Sequence, residues 1–590
     1  MKRNLREARS SDAMGPLLLA TLFLAFFASA GIVLADERVT VLRVGVLIDG
    51  NGGEPVKDAV IVIQGKRIVA VGKSGEVGIP KGAQLLHLKN KTAIPGLVDT
   101  HAHYRDWQGE IYLSHGVTTA FDIGSNPLAW SFAQKEGIDK GKIVGPRLLL
   151  GGRINGPGDE DGGEGGSRGQ TDIVVNTPDQ AREQVRRLAA SGVDIIKALE
   201  NLSPETLKAV AEEAHRAGKP VFAHSINGTE AVLAGADIDS IEHSHSVAMA
   251  AVTTEEARKK LHEGRTRRSN RLTTQEIHGF MEEESYNRLI EQLVAKKVHW
   301  SPTLATTWRA FSPQRESFRT AELKLFSLPG LSYIPAYFRA NTKEYFVGTA
   351  EIDRELRERI QSGHKKLNDF IRRFVKAGGK LQTGSDPNSV LPGMAIHREM
   401  ELLVEAGLTP TEALTAATKN PAERMGRQKD FGMITPGAFA DIVVVDGNPL
   451  QEISSTQRIH LVFKEGRQIK PEYHAGYRNP IPRPQPDRPA PEIESISPDA
   501  ITEGSGPVTL TITGRNFLST ALVKVNGKPS PAEVKFRPSR FPQNFRRSRE
   551  ITATVAAENL RRYGSYPIVV EHPGAGGAVS NTMYLIVKPR

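Results

Sequence analysis

Two kinds of apolar pattern divide this chain. From residue 39 to 88 short alternating runs dominate, and AVIVIQGKRIVAVG (59–72) reads as a hairpin: two β-branched runs around Gly65-Lys66. The same character returns in ADIVVVDGNPL (440–450) and IHLVFKEGRQI (459–469). These β pieces bracket a long middle section, so they are expected to pair into one subdomain.

The middle section alternates strand and helix. Candidate strands are 96–101, 118–123, 147–151, 193–198, 221–224, 238–243, 298–304 and 380–383. Helical segments lie between many of them. TPDQAREQVRRLAASG starts at a Thr177 cap and stops at Gly192. SPETLKAVAEEAHRAG has Ser203 as cap, Pro204 in its first turn and Gly218 as stop. Repeated strand–helix units imply a parallel sheet, and this many imply a (β/α)8 barrel. A proline-rich stretch, NPIPRPQPDRPAPE (479–492), predicts an extended, semi-rigid linker. Beyond it, PVTLTITGRNF alternates apolar residues with threonines, and recurring turn signals predict a small β-sandwich.

The expected architecture is therefore α/β: a (β/α)8 TIM barrel, a flanking small β-sandwich subdomain built from both ends of the catalytic region, and a C-terminal Ig-like β-sandwich. The boundaries are 1–35 for a signal or anchor, 36–92 with 428–475 for the β subdomain, 93–427 for the barrel, 476–491 for the linker and 492–590 for the last domain.

Composition adds exclusions. The 590 residues are 39% hydrophobic and 24% charged, which suits globular domains rather than wholesale disorder. Cysteine is absent, so disulfides, thiolate zinc sites and cysteine nucleophiles are excluded. Lys2, Arg3, Arg6 and Arg9 precede an uncharged apolar run, GPLLLATLFLAFFASAGIVLA (15–35), closed by small residues. That layout predicts export to a periplasmic or extracellular space, by a cleaved signal or an uncleaved membrane anchor. The net charge of +10 gathers at 258–271 and 545–549 and reads as solvated surface, not a nucleic-acid face. A glycine-rich stretch (151–170) reads as a loop after the third strand, with no phosphate-binding signature.

The chemistry lies at the carboxyl ends of the apolar runs. His101 and His103 stand at i and i+2 and share one side of a strand. His224 ends KPVFAH, His243 ends DSIEH, and Asp386 follows KLQTG. Lys197 interrupts GVDIIKALE where an apolar residue belongs, and a buried unpaired ammonium is costly. In a barrel these ends converge on one mouth, and imidazoles with a carboxylate suit zinc and neighbouring divalent metals.

PGLVDTHAH, IIKAL, FAH, IEH, TGSD and the tail 413–450 resemble the amidohydrolase superfamily. The lysine looks like that of its imidazolonepropionase-like and Xaa-Pro dipeptidase-like branch. The resemblance implies two divalent metals, zinc first among them. His101, His103 and Asp386 would hold one metal, and His224 and His243 the other. Lys197, carboxylated by carbon dioxide, would bridge them. It also implies a metal-bridging hydroxide as nucleophile and Asp386 as the catalytic general acid and base. His245, in IEHSHS, competes with His243 for the ligand role. Tyr104, Arg105, His245 and Trp308 are substrate-pocket candidates. ISPDAITEGSGPVTLTITGRNF and GAGGAVSNTMYLIV resemble an IPT/TIG domain.

The function expected is hydrolysis of C–N bonds in small amides, dipeptides or cyclic amides, with no nucleic-acid partner. Membrane anchoring by the N-terminal segment and homo-oligomerisation stay open. The rivals are a mononuclear deaminase-like enzyme, in which Lys197 is no ligand, and a non-catalytic surface-binding protein using the TIG domain.

Overall fold

The computed structural model describes residues 39–590 except 125, 158–172, 200, 260–273, 351, 485–489, 536–547 and 574–576. The N-terminal apolar segment, most of the glycine-rich and basic stretches and the middle of the proline-rich stretch lie outside the described residues. Among the described residues no helix is long and apolar enough to cross a membrane.

The first four strands are β1 (Val39–Leu47), β2 (Val56–Gln64), β3 (Arg67–Lys73) and β4 (Gln84–Pro95). β2 and β3 form the expected hairpin, with Gly65 at φ 55, a left-handed value that favours glycine.

Eight strands then follow in one parallel row. They are β5 (Leu97–Ala102), β6 (Val117–Asp122), β7 (Arg147–Asn155), β9 (Ile195–Ala198), β10 (Val221–Ala223), β11 (Ser240–Glu242), β12 (His299–Ser301) and β13 (Lys380–Leu381), with β8 (Ile173–Val174) pairing β7 off the row. The row closes on itself beyond its last strand. Thr100 N–H donates to the Thr383 carbonyl at 2.9 Å, and Asp386 N–H donates to the His101 carbonyl at 2.8 Å. Helices cover the outside. Thr177 and Ser203 cap the helices Pro178–Ser191 and Pro204–Arg216, each accepting a backbone N–H, and Gly192 at φ 93 ends the first.

Alternation sorts the strand residues into two cores. Ile196, Leu148, Leu150, Val221 and Ala223 join the helix-facing core. Ile195, Phe222, Leu149 and Phe121 join a separate cluster with Phe431, which is the barrel interior. Lys197 is two residues beyond Ile195 and His224 two beyond Phe222. Both side chains therefore stand above that apolar plug, on the interior face.

Several strands end earlier than the apolar pattern predicts. The ladder stops before His224, His243 and Thr383 because the backbone leaves the sheet there, with His243 at φ 62. Glu242 already faces inward by alternation, since Ile241 lies in the outer core. The positive φ at His243 swings the next side chain to the interior as well.

β14 (Ile442–Asp446), β15 (Ile459–Lys464) and β16 (Arg467–Ile469) complete one seven-stranded sheet, ordered β16-β15-β14-β4-β1-β2-β3. The antiparallel β4–β14 seam joins the two distant β pieces. The described start of the linker is held against the barrel. Gln134 Nε2 and Trp130 Nε1 donate to the Ile481 carbonyl at 2.7 and 3.2 Å, and Arg483 N–H donates to Asp106 Oδ2 at 3.1 Å. The C-terminal strands form two stacked sheets, of four and five strands, around Leu510, Ile512, Val523, Ile551 and Leu585.

Buried histidines make this fold acid-sensitive. His115 Nδ1–H donates to the Ile111 carbonyl at 2.9 Å, and His397 Nε2–H donates to the His115 carbonyl at 3.0 Å. Burial is the largest cause of the fall of His115 from 6.5 to about 4 and of His397 to about 3, with Arg398 adding repulsion. The unfolded chain protonates them at ordinary values, so it binds more protons below 6.5 and stability falls with pH there. The two histidines together are expected to lower the melting temperature between pH 6 and 4. A His397→Gln variant should melt lower at pH 7 but lose less on acidification, and an equal acid loss in both proteins would contradict this origin.

Candidate metal centre

Six polar side chains meet at the carboxyl end of the barrel, and all are buried: His101, His103, Lys197, His224, His243 and Asp386. Ligand-type atoms of His101, His243 and Asp386 lie within 4.8 Å of one another. His103 Nε2 stands 3.6 Å from Asp386 Oδ1. The His224 and His243 rings are 4.7 Å apart, and His101 and His243 are 4.6 Å apart. Three imidazoles within 4.8 Å of one carboxylate form a set suited to cations.

The second ring nitrogens are occupied by protein groups. His103 Nδ1–H donates to the Gly124 carbonyl at 2.9 Å. His243 Nδ1 bonds Thr303 Oγ1 at 2.7 Å, and His101 Nδ1 bonds Glu242 Oε2. By elimination, each ring turns Nε2 toward the cluster. Metal-binding histidines are oriented in this way, by a carbonyl, hydroxyl or carboxylate on the far nitrogen.

Lys197 differs. It is 1% exposed, and its Nζ makes no hydrogen bond. Its charge acts on Glu242: burial raises that carboxyl, but Lys197 and His101 outweigh burial and hold it below the usual range. An ammonium offers only donors, so as it stands it cannot hold a cation. Carrying a carboxylate it would present two acceptor oxygens. The donor set thus fits divalent metal, with Lys197 fitting in carboxylated form.

Backbone strain concentrates here. His243, Thr303 and Asp386 have φ of 62, 50 and 37, which non-glycine residues rarely adopt. The surroundings enforce it. Asn388 Nδ2 donates to Asp386 Oδ1 and Thr306 Oγ1 to the Asp386 carbonyl, both at 2.8 Å. Asp99 accepts from His101 N–H at 3.1 Å, Ser385 N–H at 2.9 Å and Tyr112 O–H at 3.0 Å, tying β5 to the Asp386 turn.

Glu399 is a part of the site that sequence reasoning missed. Its two oxygens accept from Leu304 N–H at 2.9 Å and Ala305 N–H at 2.7 Å, and burial pushes its carboxyl up to about 8. It thereby holds the turn whose Thr303 hydroxyl orients His243. A Glu399→Gln variant turns an amide N–H₂ toward one of those donors. It is expected to lower metal affinity about 10–100-fold, read by competition with a chelator. Unchanged affinity would contradict this positioning role.

The pocket candidates separate. His245 stacks on His243 at 5.5 Å and 16°, and Arg105 donates to the His103 carbonyl at 3.1 Å, so both border the cluster. It is His243, not His245, that lies with His101 and Asp386. Tyr104 is buried in the outer core, its ring 6.3 Å from those of both Tyr112 and Trp130. Trp308 is also buried, stacked on His364 at 4.7 Å and edge-on to His278 at 5.0 Å.

Comparison with known proteins shows the family. The amidohydrolase family matches residues 92–469, and the IPT/TIG domain matches residues 491–585. Ochratoxinase of Aspergillus niger is 25% identical over 504 residues, covering 74% of this chain and 87% of the relative. Imidazolonepropionase of Streptococcus pyogenes is 32% identical over 104 residues, covering 16% of this chain and 24% of the relative. A crystal structure of a Xaa-Pro dipeptidase with bound methionine superposes with TM-score 0.52 at 21% identity, over 73% of this chain and 100% of that one. With the family matched over most of the chain and the fold shared, this protein belongs to the amidohydrolase family of hydrolases and ends in an IPT/TIG domain.

Proposed function

We propose that the chain is an exported, binuclear metal-dependent hydrolase of C–N bonds in small amides, such as dipeptides or cyclic amides. The carrying observation is Lys197: fully buried, without a hydrogen bond, on the interior face of a barrel mouth that also holds four histidines and Asp386. The relative named as a dipeptidase and the family match support the substrate class. Export rests on the N-terminal segment.

His101, His103 and Asp386 would hold one metal and His224 and His243 the other, with carboxylated Lys197 common to both. Carboxylation joins the neutral Lys197 amine to carbon dioxide, forms an N–C bond and releases one proton. Two divalent ions, zinc or a neighbour, would supply Lewis acidity toward the scissile carbonyl and acidify water.

The chain's own residues do the rest. Asp386 takes the proton of the attacking water on its carboxylate and passes it to the leaving nitrogen as the C–N bond breaks. Asn388 keeps that carboxylate aimed through its 2.8 Å hydrogen bond. Glu242, Thr303 and the Gly124 carbonyl fix three imidazoles, so the site needs little reorganisation. Arg105 and His245 border the space above.

A panel of dipeptides, N-acyl amino acids and cyclic amides, assayed with zinc or cobalt supplied, tests this reading. Amine release from at least one class is expected. Failure across the panel in a metal-loaded, folded protein would overturn it.

A further inference from the structure

A second cavity, of about 560 Å³, lies where β15 and β16 face the helices Gly109–Ser114 and Leu128–Asp139. From the helical side it is lined by Leu113, Ile138, Ile143 and Val144, with Glu110, Asp139 and Lys140. From the strand side it is lined by Lys66, Lys464, Glu465, Arg467, Lys470 and Glu472. None of these residues belongs to the metal cluster.

Lys464 is the informative one. Its side chain is only 10% exposed, and the carboxylate it pairs with, Glu465, stands 3.9 Å away. That carboxylate is already engaged, by Arg147 at 2.9 Å and Lys66 at 3.0 Å. Burial lowers the Lys464 ammonium, and Glu465 does not offset the effect. A nearly buried cation with a shared, distant counter-charge lacks the close pairing that buried charges require. Arg467 and Lys470 make no ion pair among the described residues. On the acidic side stand Asp139, Glu472, Glu465 and Glu110, the last accepting from Tyr333 at 2.8 Å and bonded by His474 at 2.5 Å. The lining carries five lysine and arginine cations against four carboxylates, one net positive charge, which matches a single anionic group. The four carboxylates would repel polyphosphates and other polyanions.

We propose that this cavity is a binding site for a small monocarboxylate with an apolar tail, its carboxylate on Lys464 and Arg467 and its tail on Leu113, Ile138 and Ile143. The volume lies in the range of small-molecule pockets. The proposal is independent of the amide-hydrolase reading.

The test uses the full chain with hexanoate and, as its uncharged counterpart, hexanol, followed by thermal unfolding and calorimetric titration. Hexanoate is expected to raise the melting temperature saturably, and hexanol to bind at least tenfold more weakly. Lys464→Met should weaken hexanoate at least tenfold, while Asp386→Asn should leave it unchanged. If Lys464→Met does not fold, Arg467→Gln carries the same expectation with a several-fold loss. Equal binding of hexanol, no saturable effect of hexanoate, or undiminished binding in the cavity variants would overturn the proposal. The last result, combined with loss in Asp386→Asn, would assign the carboxylate to the metal cluster instead.

Discussion

Lys197→Ala is expected to abolish amide hydrolysis, by about a thousandfold or more, and to remove one or both metals. That factor corresponds to roughly 4 kcal/mol of transition-state stabilisation, the scale a bound metal supplies. Acetate or propionate should restore part of the activity by entering the space left by the side chain and replacing the lost anionic bridge. The same substitution separates structure from chemistry. Without metal, Lys197 is a buried ammonium with no hydrogen bond, standing above Ile195. Replacing it with Met should lower the stability of the metal-free protein, because it strips buried Glu242 of the Lys197 charge that keeps its carboxyl low. With metal supplied, the wild type should gain far more stability than the variant. Full activity in Lys197→Ala would contradict the bridging role.

Asp386→Asn is the second large effect. An amide in that place cannot receive a proton, so kcat is expected to fall about 10²–10⁴-fold, the usual weight of general acid–base catalysis. The Asn388 and Thr306 hydrogen bonds hold the turn from both sides, so the variant should fold. KM should change only a few-fold if metal loading is kept high. A variant that retains kcat and loses only KM would show that Asp386 binds substrate and moves no proton.

Much of the frame was legible because barrel strands carry short apolar runs that end in polar residues. The runs at 193–198 and 221–224 place Lys197 and His224 at the mouth by alternation alone, and the structure keeps that parity. Alternation fails where backbone strain intervenes. Glu242 precedes His243, so a two-residue period sends them to opposite faces, and only the positive φ at His243 brings both inside. Glu242 therefore went unread, although IEH contains it. Thr303 and Glu399 lie far from the motifs in the chain. Their roles depend on a left-handed turn and a long-range hydrogen bond with no local periodic signal. Tyr104 follows His103 directly, and the chain turns at the strand end and places its ring beside Tyr112 and Trp130. The linker also escaped composition. Proline content describes an extended chain but not the carbonyls that Gln134 and Trp130 bind.

The most direct test of the account is the metal content of the purified wild-type chain after loading with zinc and removal of excess, measured beside amide hydrolysis. The account predicts two metals per chain with hydrolysis present, and loss of both on chelation. One metal per chain, with Lys197→Ala unchanged, would contradict it and favour a mononuclear deaminase-type site. No metal and no activity would favour a binding protein built on a decayed barrel.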